Sequence, residues 1–428
     1  MKKILLLFAP IVLSCGLLSC SSSEVENADL GEAKKVVNML SDPQPIRLTA
    51  EQKVFANDNN QFTLNFLKTV NDADKSGKSF IYSPLSITYV LGMVNDAAIG
   101  QTEQELEQTL GFHKGGIQAV NDYCKKLIEG LPKVDNKVTL DIANALFVNN
   151  RATLRAQYQK DMLDYYDAKA ENLDFTSPEA LDRINGWCNE KTNGMIPKIL
   201  DKIEPRTLTY LLNAIYFKAD WASKFDEKNT QTETFTTASG KTQLPLMHQN
   251  VLILYLKNDT YSAVEMPYGN GYWKMTLMLP EEGKTTDDVI ERLKSNGTWS
   301  FRLYEVDLKL PRFETSSDTD KLEVGLIDLL RSMGIKLAFD KNYSTIPNMC
   351  EDANVYISMM RQKAKIKVNE EGSEAAAVTI AGTYETTYLS PQHVEYPKAI
   401  FHANRPFVYV ISEASSGVIL FVGKFTGK

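Results

Sequence analysis

An alternation of small side chains between residues 373 and 383 most constrains what this chain can fold into. If the segment is extended, its side chains point alternately to two faces. One face then carries only small residues, which are Ser373, Ala375, Ala377, Thr379, Ala381 and Thr383. A strand with such a face can slide into an existing sheet. The same composition also fits a poorly ordered loop between two strands, so the pattern alone leaves both interpretations open.

The order of the helical and strand patterns predicts an α+β fold. Ser83-Pro84 supplies an N-cap followed by proline at the first helical position, and a further helix is predicted around 178–193. Runs of branched and aromatic residues predict buried strands at 140–148 and 211–218. Strands dominate beyond residue 230, where they are predicted at 272–279, 307–310, 354–369, 406–411 and 418–425. Helices followed by strands, without regular alternation, are typical of α+β proteins. A length of 428 residues allows one large domain.

Charge and cysteine usage exclude several classes of function. The net charge is -7 and the basic residues are spread along the chain, so no nucleic-acid partner is predicted. Cys124, Cys188 and Cys350 are odd in number and lack a CxxC spacing, which argues against a disulfide framework and a zinc site. Buried free thiols are the favoured interpretation.

The motifs of catalysis do not occur in this sequence. None of the four histidines stands in an HExxH spacing, and no GxSxG elbow or phosphate-binding loop is present. Cys124 and Cys188 fall on helical patterns, where a buried thiol is usually inert. We therefore predict no enzymatic activity, no metal site and no cofactor, and a surface hydrolase is the weakest alternative.

The N-terminus has the features of an exported lipoprotein. Two lysines precede an apolar run, so residues 1–19 are predicted to be a signal peptide. The run ends in Leu-Leu-Ser-Cys, which resembles a bacterial lipobox with Cys20 as the lipidated residue. Residues 20–45 then form a polar flexible tether and 46–428 the folded domain. Acylation would hold the protein on a membrane of the cell envelope, and we expect the outer membrane. An ordinary signal peptide cut elsewhere is the alternative.

Several stretches of the body occur together in the order of one family. They are Phe80 to Ile87, Thr192 to Ile196, Asn213 to Trp221, Val264 to Tyr268, Leu310 to Phe313, Met333 to Phe339, Asn404 to Phe407 and Phe421 to Lys424. With Glu-Glu-Gly-Ser-Glu-Ala-Ala-Ala at 370–377, they resemble the serpin family, over roughly 50–428. The resemblance implies three β-sheets, about nine helices and an exposed reactive-centre loop at about 370–398.

The resemblance also implies a mechanism and a partner. A target protease attacks the loop and forms an acyl-enzyme, and the freed loop inserts as a new strand of the main sheet. Serpin loop insertion is an established example of β-strand addition. The partner is then a chymotrypsin-, elastase- or subtilisin-like serine protease, with papain-like cysteine proteases as further candidates, and the inhibitor is expected to be a monomer.

Individual residues follow from the same resemblance. The hinge of the loop is assigned to Glu370, Glu371, Gly372, Ser373, Glu374, Ala375, Ala376 and Ala377. Positions beneath or at the top of the opening strands are assigned to Ser83, Ser86, Asn213, Gln362, Lys218 and Trp221. Many serpins carry a histidine where Gln362 stands, so pH sensitivity from that position is not expected here.

The scissile bond is less well defined by the sequence. Counting forward from Gly372 places it at Thr386-Thr387, whereas counting back from Pro406 places it nearer 389–392. Insertion depends on the length before the cut, so we favour the forward count. Bulky alternatives nearby are Tyr384, Tyr388 and Leu389. No Arg or Lys lies between residues 380 and 396, which disfavours trypsin-like targets.

A non-inhibitory serpin, acting as a carrier or surface-interaction protein, is the main alternative function. Such members usually carry bulky or charged residues, or proline, in the hinge. The inward face of 373–379 carries none of these. The hinge composition therefore favours an inhibitor.

Overall fold

The structure is a computed structural model that describes residues 43–113, 115–295, 300–351, 355–373 and 395–428. These residues contain eight α-helices. They are α1 (Ala50–Ala73), α2 (Pro84–Ala97), α3 (Gly100–Leu110), α4 (Gly116–Gly130), α5 (Ala156–Tyr166), α6 (Pro178–Lys191), α7 (Thr286–Lys294) and α8 (Leu326–Met333). Among these residues, no helix combines the length and apolarity needed to cross a membrane.

Local capping begins the first two helices. The Thr49 hydroxyl accepts from the Gln52 amide and the Gln52 side chain accepts from the Thr49 amide, both at 3.1 Å, which is a complete capping box. Ser83 caps α2 and Pro84 follows it, as the sequence predicted. α2 is buried on nearly all sides, because its sequence is apolar all round. It therefore forms the centre of the molecule.

Fifteen strands accompany these helices in the same ranges. They are β1 (Phe80–Tyr82), β2 (Val138–Asn149), β3 (Ala168–Leu173), β4 (Thr209–Asp220), β5 (Gln231–Thr237), β6 (Gly240–Lys257), β7 (Tyr261–Tyr268), β8 (Trp273–Pro280), β9 (Arg302–Pro311), β10 (Phe313–Asp318), β11 (Met360–Val368), β12 (Gly372–Ser373), β13 (Lys398–His402), β14 (Phe407–Glu413) and β15 (Ile419–Phe425).

The strands form two hydrogen-bonded sheets in the described ranges. The six-stranded main sheet has the order β10-β11-β12-β4-β2-β3, and the nine-stranded sheet runs β1-β15-β14-β8-β7-β6-β9-β13 with β5 beside β6. The expected third sheet is joined to the second, because β6 pairs with β5 and β9 and then continues to pair with β7. The predicted α+β class is confirmed.

The core lies between the two sheets and around α2. Phe217 of β4 contacts the rings of Tyr268, Trp273 and Phe421 edge-on, with centroids 5.5, 5.5 and 6.1 Å away. A second, smaller cluster covers the other face of the main sheet, where Trp187 of α6 packs on Phe147 of β2. β4 is therefore buried on both faces. Whether a further strand can join the main sheet depends on which edge of β4 is already hydrogen-bonded to a neighbour.

Candidate functional site: an opening in the main sheet

A tight turn at residues 369–372 reverses the chain between β11 and β12. The Asn369 side-chain oxygen accepts from the amides of Glu371 and Gly372 at 3.1 and 3.2 Å, and the Asn369 amide donates to the Gly372 carbonyl at 2.9 Å. Gly372 has φ +156°, and a Cβ at this position would lie 2.1 Å from the Ala219 carbonyl oxygen. Only glycine lets the chain approach β4 so closely.

The turn delivers β12 into a gap between two strands of the main sheet. Ser373 pairs with Val368 of β11 on one side and with Ala219 of β4 on the other, both antiparallel. At the opposite end, β11 and β4 pair directly with each other, in parallel, from Met360–Leu211 to Gln362–Asn213. In between, no β-pairing among the described residues joins 363–367 of β11 to 214–218 of β4. The sheet therefore has an opening whose upper end is already occupied by the first two residues of a strand.

The side chain of Ser373 points into the core beneath this opening. Its hydroxyl lies 2.7 Å from that of Tyr268. The Tyr268 ring stacks on Trp221 at 4.3 Å with the planes 10° apart, and the Trp221 indole N–H donates to the Asn369 carbonyl at 2.9 Å. Burial raises the pKa of Tyr268, so its hydroxyl stays protonated and can always donate. One aromatic pair thus holds both the turn and the first inserted residue.

Glu370 is the buried anchor of the hinge. Its side chain is 2% exposed and receives two hydrogen bonds from the Arg312 guanidinium, at 2.6 and 3.1 Å. The Thr230 hydroxyl donates a third at 2.6 Å. Burial alone would raise the pKa of Glu370, but Arg312 and Thr230 outweigh it and lower the pKa. The hinge is therefore held to the residue before β5 and to the β9–β10 connection by a carboxylate that stays charged near neutral pH.

Glu371 makes a second, more exposed ionic contact. Lys224 lies between the carboxylates of Glu371 and Asp220, and its contact with Asp220 measures 2.9 Å. Burial alone would lower the pKa of Lys224, but these two carboxylates raise it. The backbone adds to this attachment, because the Trp221 amide donates to the Glu371 carbonyl at 2.8 Å. Both glutamates of the hinge are thus fastened to the segment that follows β4.

A polar group closes the lower end of the opening. The Gln362 side chain accepts from the Ser83 amide at 3.0 Å and donates to the Ser83 carbonyl at 2.8 Å. Ser83 in turn donates to the Ser86 hydroxyl at 3.0 Å. The Gln362 amide donates to Thr319 at 3.0 Å. A neutral side chain therefore joins β11 to the start of α2.

Asn213 faces Gln362 across the closed end of the sheet. Its side-chain NH₂ donates to the Asn144 side chain at 2.9 Å. Its side-chain oxygen is buried and has no hydrogen-bond partner among the described residues. A buried acceptor without a donor costs free energy, about 1–3 kcal/mol. Asn213 can therefore accept a hydrogen bond that no described residue supplies.

The predicted site residues thus fall into two groups at the two ends of one opening. Lys218 joins neither, because it lies on the face of β4 opposite to Ser373 and is half-exposed. The remaining predicted positions lie outside the described residues, and they are Glu374, Ala375, Ala376, Ala377, Tyr384, Thr386, Thr387, Tyr388, Leu389 and Cys20.

Sequence reasoning missed the partners of the hinge. Arg312 and Tyr268 stand in two of the stretches that resembled the family, but their bonds to Glu370 and Ser373 cross long distances in sequence. Thr230 and Lys224 stand in no motif that would have pointed to a contact with the hinge. Charge complementarity between Arg312 and the acidic hinge was the one clue that the sequence offered.

The described residues contain no group of three or more His, Cys, Asp or Glu side chains arranged to hold a metal ion. Cys124, Cys188 and Cys350 are buried and form no disulfide with one another, as predicted. Burial raises the pKa of both Cys124 and Cys188 to about 12. Neither thiol is therefore suited to act as a nucleophile.

Comparison with known proteins gives one consistent family. The family model Serpin (serine protease inhibitor) matches residues 57–427. A serpin-like protein of Thermococcus kodakarensis is 31% identical over 384 residues, 87% of this chain and 86% of that protein. Iripin-5 of Ixodes ricinus is 30% identical over 382 residues, 86% of this chain and 93% of that protein.

The solved structures agree with this result. Serpin48 of the insect Tenebrio molitor superposes with a TM-score of 0.76 at 27% identity, covering 89% of this chain and 100% of that one. The matched region includes the main sheet, its opening and the hinge. This chain therefore belongs to the serpin family, whose members are in general protease inhibitors rather than enzymes.

Proposed function

We propose that this serpin traps a chymotrypsin-, elastase- or subtilisin-like serine protease by inserting the cleaved loop into the opening of the main sheet. The observation that carries the proposal is β12, which already occupies the upper end of the opening between β11 and β4. The protease serine attacks the carbonyl of the scissile bond, the amide bond breaks, and the new amino terminus leaves. An ester then joins the protease to the segment that follows Ser373.

The registers on the two sides of the opening agree with insertion. Ser373 pairs with Val368 and with Ala219. Continued residue by residue, both registers bring Thr379 to the pair Gln362 and Asn213, which currently face each other. An inserted strand can therefore pair with both neighbours at once, without a bulge on either side.

The composition of the inserted segment suits the space that it would enter. Ser373 faces the core, so Ala375, Ala377 and Thr379 would face it too. Ala375 would lie opposite Phe217, whose ring already contacts three other aromatic rings. A methyl group fits there, whereas a larger side chain would displace the rings. The Thr379 hydroxyl would come to the side-chain oxygen of Asn213 that has no donor in the described residues.

The free energy available is large enough to distort a protease. Each new backbone hydrogen bond contributes about 0.5–1.5 kcal/mol net. About ten such bonds would contribute on the order of 10 kcal/mol, which is comparable with the whole stability of a typical protein, about 5–15 kcal/mol. The free energy of insertion is therefore large enough to disrupt the active site of the trapped protease.

The bond most consistent with this mechanism is Thr386-Thr387, with Tyr384, Tyr388 and Leu389 as alternative contacts for an apolar specificity pocket. To test it, the soluble body is incubated with chymotrypsin, elastase, subtilisin, trypsin and papain, and the products are separated on denaturing gels. A band at the summed mass establishes trapping, and the mass of the released C-terminal peptide locates the bond. If the loop is cut and none of the five proteases forms a covalent complex, the result would instead favour a carrier or surface-interaction role.

The proposal also includes a lipid anchor at Cys20 and a location at the outer membrane. The apolar run before Leu-Leu-Ser-Cys supports lipidation of Cys20 and attachment to the outer membrane. Expression of the full chain and of Cys20→Ser, followed by separation of membrane and soluble fractions, tests the anchor. The wild type should enter the membrane fraction with an acylated N-terminus. An unmodified N-terminus, or equal partition of both proteins, would contradict lipidation.

A further inference from the structure

An apolar cover lies over the main sheet on the face opposite to Ser373. Beneath it are Leu212 and Ala214 of β4, which are fully buried and stand beside the lower end of the opening. The cover consists of α6 and the segment that follows α6. Its apolar side chains include Trp187, Ile196, Ile199 and Leu200. The inward face of an inserted strand would point to the other side of the sheet, so it would not meet this cover.

The cover is fastened to α6 and packs on β4. Asn185 of α6 accepts from the amides of Ile199 and Leu200, both at 2.9 Å, and donates to the Leu200 carbonyl at 3.0 Å. Toward β11 the cover makes a polar contact, in which Lys363 Nζ donates to the Lys198 carbonyl at 2.7 Å. When β11 moves aside to admit a strand, the cover can therefore remain over β4.

The register of the hinge brings two branched residues of the loop to this place. Continued from the pairs of β12, it would put Val378 between Ala214 and Lys363, in the last row of the opening. Two residues further, Ile380 would come to Leu212. Residues that are directly opposite in a sheet point to the same face. Both branched side chains would therefore face the apolar cover.

The outward face of the loop changes character where the cover begins. Ala376 would lie opposite Lys365, which is partly exposed and forms an ion pair with Glu314 at 2.8 Å. The next two outward residues are Val378 and Ile380. The small side chain thus falls beside a polar, solvated row, and the two branched apolar side chains fall beneath an apolar cover.

Ile380 would enter the sheet where it is now closed. Arg361 of β11 and Leu212 of β4 pair directly at this row, so the two strands must part before the loop can pass. The new strand can replace the backbone hydrogen bonds that are lost. Burial of a branched apolar side chain beneath the cover is a further favourable contribution, which direct pairing of β11 with β4 does not provide.

We propose that the apolar cover is a receptor for Val378 and Ile380, and that their burial beneath it drives the second half of loop insertion. The inference rests on the proposed function in taking the cleaved loop as the inserted strand. The small inward residues let the loop enter the opening. The two outward residues then offset the separation of β11 from β4 at the closed end. With polar side chains at these two positions, insertion slows and the protease is released before it is distorted.

Exchanges that preserve the shape of the side chain test the receptor. Val378→Thr changes one methyl group to a hydroxyl, and Ile380→Val and Ile380→Thr differ from each other in the same way. The loop of each variant is cut with a protease that is not trapped. Calorimetry in a fixed concentration of guanidinium chloride then gives the melting temperatures of the intact and the cleaved protein.

A hydroxyl that leaves water for an apolar cluster destabilises the state that buries it. We therefore expect the rise in melting temperature on cleavage to be smaller by about 3 °C for Val378→Thr than for the wild type. Ile380→Thr should lose about the same amount relative to Ile380→Val. The melting temperatures of the intact variants should agree within about 1 °C, because only insertion brings these residues to the cover.

Ala376→Ser is the matched control. It adds a hydroxyl to the same outward face, but in the row of Lys365, so it should change the rise by less than about 1 °C. With a trapped protease, the variant carrying both Val378→Thr and Ile380→Thr should be cut at the wild-type rate. The number of its molecules consumed per trapped protease should rise at least about threefold, because slower insertion leaves more time for release.

The outcomes separate this inference from the proposed function. If cleavage does not raise the melting temperature of the wild type, the loop does not insert and both proposals fail. If cleavage raises it and the two threonine variants keep the whole rise, insertion stands and the receptor is refuted. An equal loss in Ala376→Ser, or an equal loss in the intact variants, would also refute the receptor, because the effect would then not depend on reaching the cover.

Discussion

The buried cysteines illustrate how burial alone decides the chemistry of a side chain. Cys124 lies in α4 and Cys188 in α6, and each thiol has a pKa raised to about 12. At pH 8 both thiols therefore stay protonated. The thiol side chains serve as small apolar groups in the core, so their role is packing.

We therefore predict that the native body, beginning at residue 43, hardly reacts with a thiol-specific disulfide reagent at pH 8. After unfolding in urea, Cys124, Cys188 and Cys350 should all react at the rate of free cysteine. The absorbance of the released thiol measures both. A native thiol that reacts as fast as free cysteine would contradict the burial described here.

Glu370 is the residue whose charge matters most for the hinge. Because Arg312 and Thr230 lower its pKa in the folded state, its stabilising contribution is present above the unfolded value, about 4.3, and is lost as the pH falls through the lower folded value. Glu370→Gln should lower the free energy of unfolding at pH 7 by about 2 kcal/mol, because Arg312 loses its charged partner. The difference from the wild type should shrink below pH 4.

Urea unfolding at several pH values measures this dependence. Glu314→Gln is the control, since Glu314 is 51% exposed and pairs with Lys365 at the surface. We expect the control to change stability by less than about 1 kcal/mol. Equal effects of the two substitutions at pH 7 would mean that the buried bonds of Glu370 stabilise the fold no more than the exposed ion pair of Glu314 does.

At the scale of the element, β12 depends on a single glycine. A methyl group at residue 372 would lie 2.1 Å from a backbone oxygen of β4 that cannot move away. We expect Gly372→Ala to detach Gly372 and Ser373 from the sheet. Hydrogen exchange of the peptide covering 368–373 should then become faster by at least tenfold.

Gly240→Ala is the matched control for this substitution. Gly240 also has a positive φ, +134°, but nothing lies within 4 Å of its Cβ position. The backbone strain of the two substitutions is therefore similar, and only the contact with β4 differs. If both variants leave exchange at 368–373 unchanged, the close approach of β12 to β4 is not required for pairing.

The opening between β11 and β4 makes a second prediction at this scale. Ala377→Arg would place a charge on the inward face of the inserted strand, opposite Ile215 in the continued register. We expect the loop to be cut at an unchanged rate while the number of inhibitor molecules consumed per trapped protease rises at least tenfold. Titration of protease activity measures this number.

The outward face provides the control for Ala377→Arg. Glu374 is already charged, and the same register would place it opposite the half-exposed Lys218. Glu374→Arg should therefore change the stoichiometry much less. If Ala377→Arg traps protease as efficiently as the wild type, the inserted strand does not have the register proposed here.

At the scale of the whole molecule, the native state should be less stable than the cleaved one. An additional strand in the main sheet would contribute on the order of 10 kcal/mol. For a domain of this size, 1 kcal/mol shifts the melting temperature by about 1–2 °C, so cleavage should raise it by 10 °C or more. Calorimetry of intact and loop-cleaved protein measures the shift. An unchanged or lower melting temperature would exclude insertion.

Much of the architecture was predictable because it rests on local signals. Thr49 and Gln52 form a capping box at the start of α1, and Ser83 and Pro84 begin α2. Buried strands formed at 140–148 and 211–218, where branched and aromatic residues run together, within β2 and β4. By contrast, the strand predicted from residue 354 begins only at Met360. Shortly before it, the Ile357 amide donates to the Ala338 carbonyl in the turn at 337–339 instead of to a neighbouring strand.

β6 was missed for a related reason. Its 18 residues include Pro245 and a polar stretch around His248, which break the apolar alternation expected of a strand. The strand persists because β5, β9 and β7 supply its hydrogen bonds in turn. That support comes from residues distant in sequence, and it also joins two expected sheets into one.

The sequence by itself determined the family resemblance, the first helix starts and the alternation of small residues after Gly372, because each depends on neighbouring residues or on the order of short motifs. Only the tertiary structure decided what surrounds the hinge. The gap between β11 and β4, the buried bonds of Glu370 to Arg312, and the Asn213 oxygen that no described residue supplies with a donor arise from contacts between distant segments. Their geometry depends on how two sheets pack around α2, and no local pattern encodes that packing.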